Sequence, residues 1–213
     1  YALENAVYIS NNQKIGSLLQ LKYGLRLSMF NNVGPNTVFD YDNQGQPIDS
    51  TVYGKGDFYN TYFGFEPRLG VVFQLSETSS IKASYARNYQ YIQQAQNSTA
   101  GSPLSIWFSS SPNVKPQISD QFAAGYFRNF KQGTYEASVE VYYKDIKNAI
   151  DFRDHAELLL NKYIEGELLI GRGYGYGAEF LLRKNKGKLT GWVSYTFSRT
   201  FRVIDGINNG DPY

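Results

Sequence analysis

Alternation of apolar and polar residues organises this chain. Its clearest case is Glu66-Pro-Arg-Leu-Gly-Val-Val-Phe-Gln-Leu-Ser76, followed by Ile81-Lys-Ala-Ser-Tyr-Ala-Arg87. Pro67, Leu69, Val71, Phe73 and Leu75 share one face, and Glu66, Arg68, Gly70, Val72 and Gln74 share the other. After the Ser76–Ser79 turn, Ile81, Ala83 and Tyr85 oppose Lys82, Ser84 and Ala86. A period of two marks a strand with one apolar and one polar face. The same pattern fills about 1–9, where Asn5 interrupts the apolar set, and about 16–30, where Leu19, Leu21, Tyr23, Leu25, Leu27 and Met29 align. It returns at about 118–129, from Tyr135 through Tyr143, over 169–183 and from Leu189 onward. The expected fold class is all-β: an antiparallel up-and-down meander of about eight strands.

The connections sort by length. Short turns are expected at Asn11–Lys14, Ser76–Ser79, Phe130–Thr134 and Lys184–Lys188. Long or medium polar loops are expected at about 31–60, 93–117, 153–167 and from Asp205 onward. All short turns therefore share one end of the meander. Outer-membrane barrels have this asymmetry, whereas Greek-key sandwiches have no reason for it. Phe30, Tyr62, Phe63, Tyr89, Tyr91, Phe152, Tyr174, Tyr176 and Phe201 gather near the long-loop ends, as an interfacial girdle would. The apolar faces are accordingly expected to meet lipid, as part of a transmembrane β-barrel.

Composition agrees with that orientation. The aromatic share is 16% and the mean hydropathy −0.44. No apolar run approaches the roughly 20 residues of a spanning helix, while a spanning strand needs only about 10 alternating residues. The 21 basic and 19 acidic residues are interspersed without a basic stripe, so nothing points to nucleic acid. With no cysteine there is no disulfide framework or thiolate metal site.

The family likeness lies in Glu66-Pro-Arg-Leu-Gly70 with Lys82-Ala-Ser-Tyr-Ala-Arg87, Tyr23-Gly-Leu-Arg26, and Lys115-Pro-Gln117 with Ser119-Asp-Gln121. It continues in Gly125-Tyr126, Glu140-Val-Tyr-Tyr-Lys-Asp145, Tyr176-Gly-Ala-Glu179, and Gly191-Trp-Val-Ser-Tyr195 with Ser198-Arg199. In order and spacing these segments resemble the barrel of TonB-dependent outer-membrane receptors of the Bacteroidetes type. The resemblance implies a 22-stranded barrel, of which residues 1–213 would be a partial domain from the later half, without plug or final strands. It implies a bacterial outer-membrane location and nutrient uptake energised through TonB. The implied partners are membrane lipid, the receptor's own plug, the TonB complex and a small nutrient ligand, with no cofactor and no catalysis. The start, Tyr1-Ala-Leu-Glu4, reads as strand interior, with no initiator Met or signal peptide. Two other readings remain: a small eight-stranded outer-membrane adhesin or structural barrel, and a soluble β-sandwich that binds carbohydrate.

Site candidates follow from the faces. Arg26, Glu66, Arg68, Lys82, Glu136, Glu140, Glu179 and Arg183 form an in-phase charged set expected to line the lumen. Glu66, Arg68, Lys82 and Glu179 are the lumen-facing ligand candidates, and Trp107 and Phe108 the loop candidates. Gly171, Gly173, Gly175 and Gly177 fall on the lumen face and are expected to leave room for a plug. Asp40-Tyr-Asp-Asn-Gln-Gly45 starts like a calcium loop, but Thr51 stands where the bidentate Glu is needed, so a hairpin tip is expected instead. His155 is the sole histidine and has no companion ligands, so no metal site is expected.

Overall fold

A computed structural model describes residues 1–96 and 105–213; residues 97–104, inside the expected 93–117 loop, lie outside the described residues. The chain forms β1 (Ala2–Ile15), β2 (Leu19–Val33), β3 (Asn36–Tyr41), β4 (Pro47–Tyr53), β5 (Phe58–Ser76) and β6 (Ser79–Gln90). There follow β7 (Ile92–Gln96), β8 (Ser105–Ser109), β9 (Gln117–Phe130), β10 (Tyr135–Phe152), β11 (Leu168–Lys184) and β12 (Gly191–Val203). Eight of them make one antiparallel sheet in the order β1-β2-β5-β6-β9-β10-β11-β12. The remaining four form two hairpins, β3–β4 and β7–β8, inside the long loops.

The expected meander is present, with one turn displaced. Asn11 to Lys14 is not a turn: these residues pair with Tyr23 to Gln20, and the chain reverses at Gly16, whose φ is +62°. A ladder is made by the backbone and tolerates polar side chains. Here Asn12 Oδ1 also accepts a hydrogen bond from Gln20 Nε2 at 2.8 Å, so the polar run extends the strand instead of ending it. The long 31–60 and 93–117 loops likewise hold paired strands that a period-two reading misses: β3–β4 has no consistently buried face, and the buried face of β7–β8 carries the polar Gln93 beside Ala95, Ile106 and Phe108.

The sheet has two distinct faces. On one side, a hydrogen-bonded row runs Leu21–Val71–Ala83–Ala124–Val141–Ala178–Phe197. Two residues nearer the loops, the next row on that side is Tyr23–Leu69–Tyr85–Phe122–Tyr143–Tyr176. On interior strands of this face Phe63 is 73% exposed, Phe65 52% and Phe122 52%. So much contiguous exposed apolar surface on a wall calls for an apolar solvent. Lipid is that solvent, and no sandwich partner sheet covers either face among the described residues.

Aromatic residues divide between the faces differently from expectation. Phe30 and Tyr62 are in step with Glu66, on the opposite side from the lipid. Phe30 is 3% exposed and stacks on Tyr91 at 4.7 Å, while the Tyr62 hydroxyl donates to Ser111 O at 2.8 Å. Tyr91 and Phe152 are also buried under the loops. Phe63, Tyr174, Tyr176 and Phe201 of the expected girdle do face outward, and Tyr23, Tyr85, Phe122 and Tyr143 join Tyr176 in an outward aromatic row, with the Tyr85 and Phe122 rings 4.8 Å apart. The largest buried apolar cluster, Ala95, Phe108, Val114, Ile150 and Phe152, sits at the long-loop end and braces the β7–β8 hairpin against β10.

Candidate lumen wall and extracellular mouth

Strand pairing brings the in-phase charges together, and their contacts separate structural from open ones. Arg26 Nη2 reaches Glu4 at 2.9 Å and its Nη1 reaches Glu66 at 3.3 Å, so one guanidinium ties β1, β2 and β5. Glu66 is 1% exposed and also accepts the Ser28 hydroxyl at 2.9 Å. Ser28 Oγ is in turn 2.8 Å from the Tyr91 hydroxyl. A carboxylate taken this far out of water needs these partners. Glu66 is therefore a structural hub that holds the end of β6 over the wall. A Cβ at Gly64 would collide with Ser28 Oγ and the Tyr91 hydroxyl, so glycine is required there for this closure.

The other wall candidates are more accessible. Arg68 donates to Asn88 Oδ1 at 3.0 Å, and the Lys82 ammonium lies 3.8 Å from the centre of the Phe127 ring. Glu136 and Arg183 are 3.7 Å apart. Glu179 lies directly opposite Glu140, a like-charge pair across the ladder. The glycine run has a local explanation. A Cβ at Gly177 would meet Phe197 O and the ring of Tyr142, its partner across the ladder, and one at Gly171 would strike Val203 O. At these two positions the glycines accommodate their own sheet, so no plug is needed to explain them.

Above the wall the loops fold across the mouth. The β3–β4 tip is an Asx turn: Asp42 Oδ1 accepts the backbone N–H groups of Gln44 and Gln46, each at 2.8 Å. The hairpin tip expected in place of a calcium loop is what forms, with this carboxylate oxygen closing the backbone turn. Arg153 then fastens this tip to the β10–β11 loop, donating to Gln44 O and, at 2.7 Å, to Gly166 O. Asn113 Nδ2 donates to Phe39 O at 2.9 Å and to Glu165 Oε2 at 2.8 Å, so three loops share one side-chain amide. Tyr41 packs on Gly166; burial, with Glu165 close by, pushes its pKa up to about 12. β2 and β10 are separated by three strands, so the hairpin spans the arc and marks this side as the interior.

Trp107 and Phe108 part company here. Phe108 belongs to the buried cluster, edge-on to Phe152 at 5.8 Å, and is not available to a ligand. Trp107 is 65% exposed and lines a hollow on the interior side with Gln90, Gln94, Gln117 and Arg202. Arg202 is held by Asp151 at 3.0 Å, and Asp151 also accepts the Tyr213 hydroxyl at 3.1 Å. Burial and the neighbouring Asp151 carboxylate push the Tyr213 pKa up to about 12. This glutamine group escaped sequence reading because its members come from three strands and from segments that read as polar loop. An aromatic plate beside amide donors and acceptors suits a small, hydrogen-bonding ligand.

Known proteins share this architecture. The family model "TonB dependent receptor-like, beta-barrel" matches residues 1–213. The FrpB iron transporter from Neisseria meningitidis superposes with a TM-score of 0.63 at 18% identity, covering 98% of this chain and 27% of that one. The alcaligin outer-membrane receptor FauA from Bordetella pertussis gives 0.58 at 16% identity, covering 100% and 32%. The receptor of the FpvAI–pyocin S2 complex gives 0.60 at 15% identity, covering 99% and 24%. The chain thus spans about a quarter to a third of these structures, and at such identities they speak for the fold alone. No curated protein matches it. A bacterial outer-membrane wall of eight antiparallel strands, with short turns at one end and interlocked loops at the other, belongs to the TonB-dependent receptor β-barrel family.

Proposed function

We propose that this chain is an arc of wall and extracellular mouth in a receptor that captures a small nutrient and imports it with energy delivered through TonB. On this reading it is a partial barrel domain of the Bacteroidetes type, and the wall is completed by strands pairing with β1 and β12. Both are edges of an open sheet, and unpaired backbone groups are not tolerated in hydrocarbon. An eight-stranded closed barrel is disfavoured because β1 and β12 do not pair with each other. The receptor's plug and the TonB complex are its partners. No step of this function calls for a catalytic residue or cofactor.

The observation that carries the reading is the mouth itself. Three loops are fastened over the interior by Arg153 and Asn113, leaving exposed Trp107 above a glutamine-lined hollow on the path inward. Trp107 is the first contact for ligand in this proposal; Arg68, Lys82 and Glu179 line the route below it, and Glu66 shapes that route without touching the ligand. Uptake of small nutrients has precedent among the structural neighbours, one being an iron transporter and one a receptor for alcaligin. The test uses the full-length receptor in cells, with a panel of radiolabelled ferric siderophores and other nutrients. Uptake of one of them is expected to need TonB and to lose roughly tenfold in affinity in Trp107→Ala, the scale of one aromatic contact. Uptake that persists without TonB would refute the reading.

A further inference from the structure

At the loop end of the sheet, neighbouring strands pair to within a residue of where one of them ends, but β5 and β6 part while both continue. Their last pair there is Arg68 with Ala86. Yet β5 extends back to Phe58, still paired with β2, and β6 runs on to Gln90, still paired with β9. Pro67 explains the parting. The Gln74 N–H donates to Leu18 O on the β2 side at 2.7 Å, so alternation sends the even N–H groups of β5 toward β2 and the odd ones toward β6. Proline at 67 has no N–H to send, and the ladder stops there. Pro67 stands ten positions before Glu77 in the turn, about where a tilted strand of 9–11 residues leaves the hydrocarbon. Above that height the freed edge of β5 is hydrated, as open backbone must be.

The fork divides the upper wall into two bodies. On one side β2 and β5 lead into the β3–β4 hairpin. The Gly34 N–H donates to Asp57 O at 2.9 Å and the Tyr53 and Tyr59 rings stack at 5.0 Å, so ladder and hairpin form one arm. β1, paired with β2 as far as Ala2, goes with it. On the other side β6, β9 and β10 stay paired. Among the described residues, no strand pairing crosses the fork above Arg68. Side chains cross it instead: the Tyr91 hydroxyl meets Ser28 Oγ at 2.8 Å, the Tyr91 ring stacks on Phe30, and Arg68 donates to Asn88. At its far end the arm is held over the mouth by Arg153, which donates to Gln44 O, and by Asn113, which donates to Phe39 O.

We propose that this arm is a movable section of the barrel wall. It swings outward about the Pro67 fork, carries the β3–β4 hairpin off the mouth, and opens a lateral entrance to the hollow beside Trp107. Tyr91, seated between Ser28 and Phe30, is the latch that sets the closed position. The moving part is the wall itself. A continuous ladder would have to break a row of backbone hydrogen bonds to open there, whereas the fork breaks side-chain contacts. The device rests on the register of β5 with β6, not on the identity of the nutrient or on its energy source.

The test is pulsed dipolar spectroscopy of nitroxide pairs on the full-length receptor, reconstituted in bilayers with no nutrient added. Labels at the exposed Ile48 on the arm and Leu159 in the β10–β11 loop read the gap, and labels at Val52 and Phe63, both on the arm, read its rigidity. Two distances are expected across the gap and one within the arm. Tyr91→Phe removes the latch hydroxyl and keeps the ring stack. It is expected to raise the ratio of the longer to the shorter gap distance roughly three- to tenfold, the scale of one hydrogen bond. Pro67→Val restores an N–H toward β6 and is expected to lower that ratio. Heat-modifiable gel mobility reports the folding of each variant. A single gap distance throughout, an unchanged ratio in either variant, or an equal spread within the arm would each overturn the proposal.

Discussion

Val71 and Val72 are neighbours of identical chemistry on opposite faces of β5, and placing lysine at each in turn isolates the effect of the face. Val71 pairs with Leu21 and Ala83 in an outward row of small and aliphatic side chains. It stands six positions before Glu77 in the turn, close to the middle of a strand that spans in about 9–11 residues. A lysine at mid-bilayer on the lipid face costs about 2–4 kcal/mol, so the folded-to-unfolded ratio should fall roughly 30- to 700-fold. Val72 faces Gln20 and Lys82 inside. Lysine there stays hydrated, and its repulsion from Lys82 adds at most about 1 kcal/mol. The assay is urea unfolding of the full-length receptor in lipid bilayers, followed by tryptophan fluorescence and gel mobility. Equal losses at the two positions, or a larger loss at Val72, would refute the assignment of faces.

Three further outcomes follow from contacts in the interior and the mouth. Arg26→Ala should destabilise the β1–β2–β5 end by a few kcal/mol, because Glu66 would stay buried with its charge uncompensated, and Glu66→Gln in the same chain should restore part of the loss; bilayer unfolding of the four variants in this cycle measures both effects. Gly177→Ala should impair assembly, since its Cβ would meet a backbone carbonyl, Phe197 O, and combining it with Tyr142→Ala should not rescue it; the folded fraction on a heat-modifiability gel reports this. Tyr41 and Tyr213 have folded-state pKa values raised from 10.0 to about 12, so the protonated form is favoured in the native loops. Their stabilisation is complete below pH 10 and is lost as pH rises toward about 12, so loop protection in hydrogen exchange should decline across that window and not below it.

Most of the wall was legible in the sequence because a two-sided strand must alternate, and the alternation at Leu19–Met29 and Pro67–Leu75 survives directly as a register in which every odd residue faces lipid. Sorting the connections by length placed the short turns at one end of the sheet and the long loops at the other, as the strand order bears out. Three kinds of information were not legible. Polar residues such as Asn11–Lys14 extend a ladder without showing a period, so the first turn was expected too early. Aromatics near a strand end carry no mark of side until the register is known. Phe30, Tyr62 and Tyr91 therefore read as a girdle although they pack inward, while the row through Tyr85, Phe122 and Tyr143 passed unnoticed.

The site was less legible than the wall, because its contacts are long-range. Glu66 read as an open lumen charge, yet Arg26, 40 positions away, and Ser28, 38 away, close over it. Nothing local separates Trp107, exposed at the mouth, from Phe108, buried beside Phe152; adjacent strand residues simply point opposite ways. The mouth depends on Asn113 and Arg153, which join loops lying 52 to 109 positions from them in sequence.

The claim on which the rest depends is that odd positions of β5 face lipid and even positions face the lumen. Nitroxide scanning of positions 68–75 in the full-length receptor, reconstituted in bilayers, measures this directly through collision with oxygen and with a water-soluble nickel complex. Oxygen accessibility should peak at 69, 71, 73 and 75, with nickel accessibility peaking at the even positions between them. A flat profile, or peaks with the opposite parity, would contradict the account.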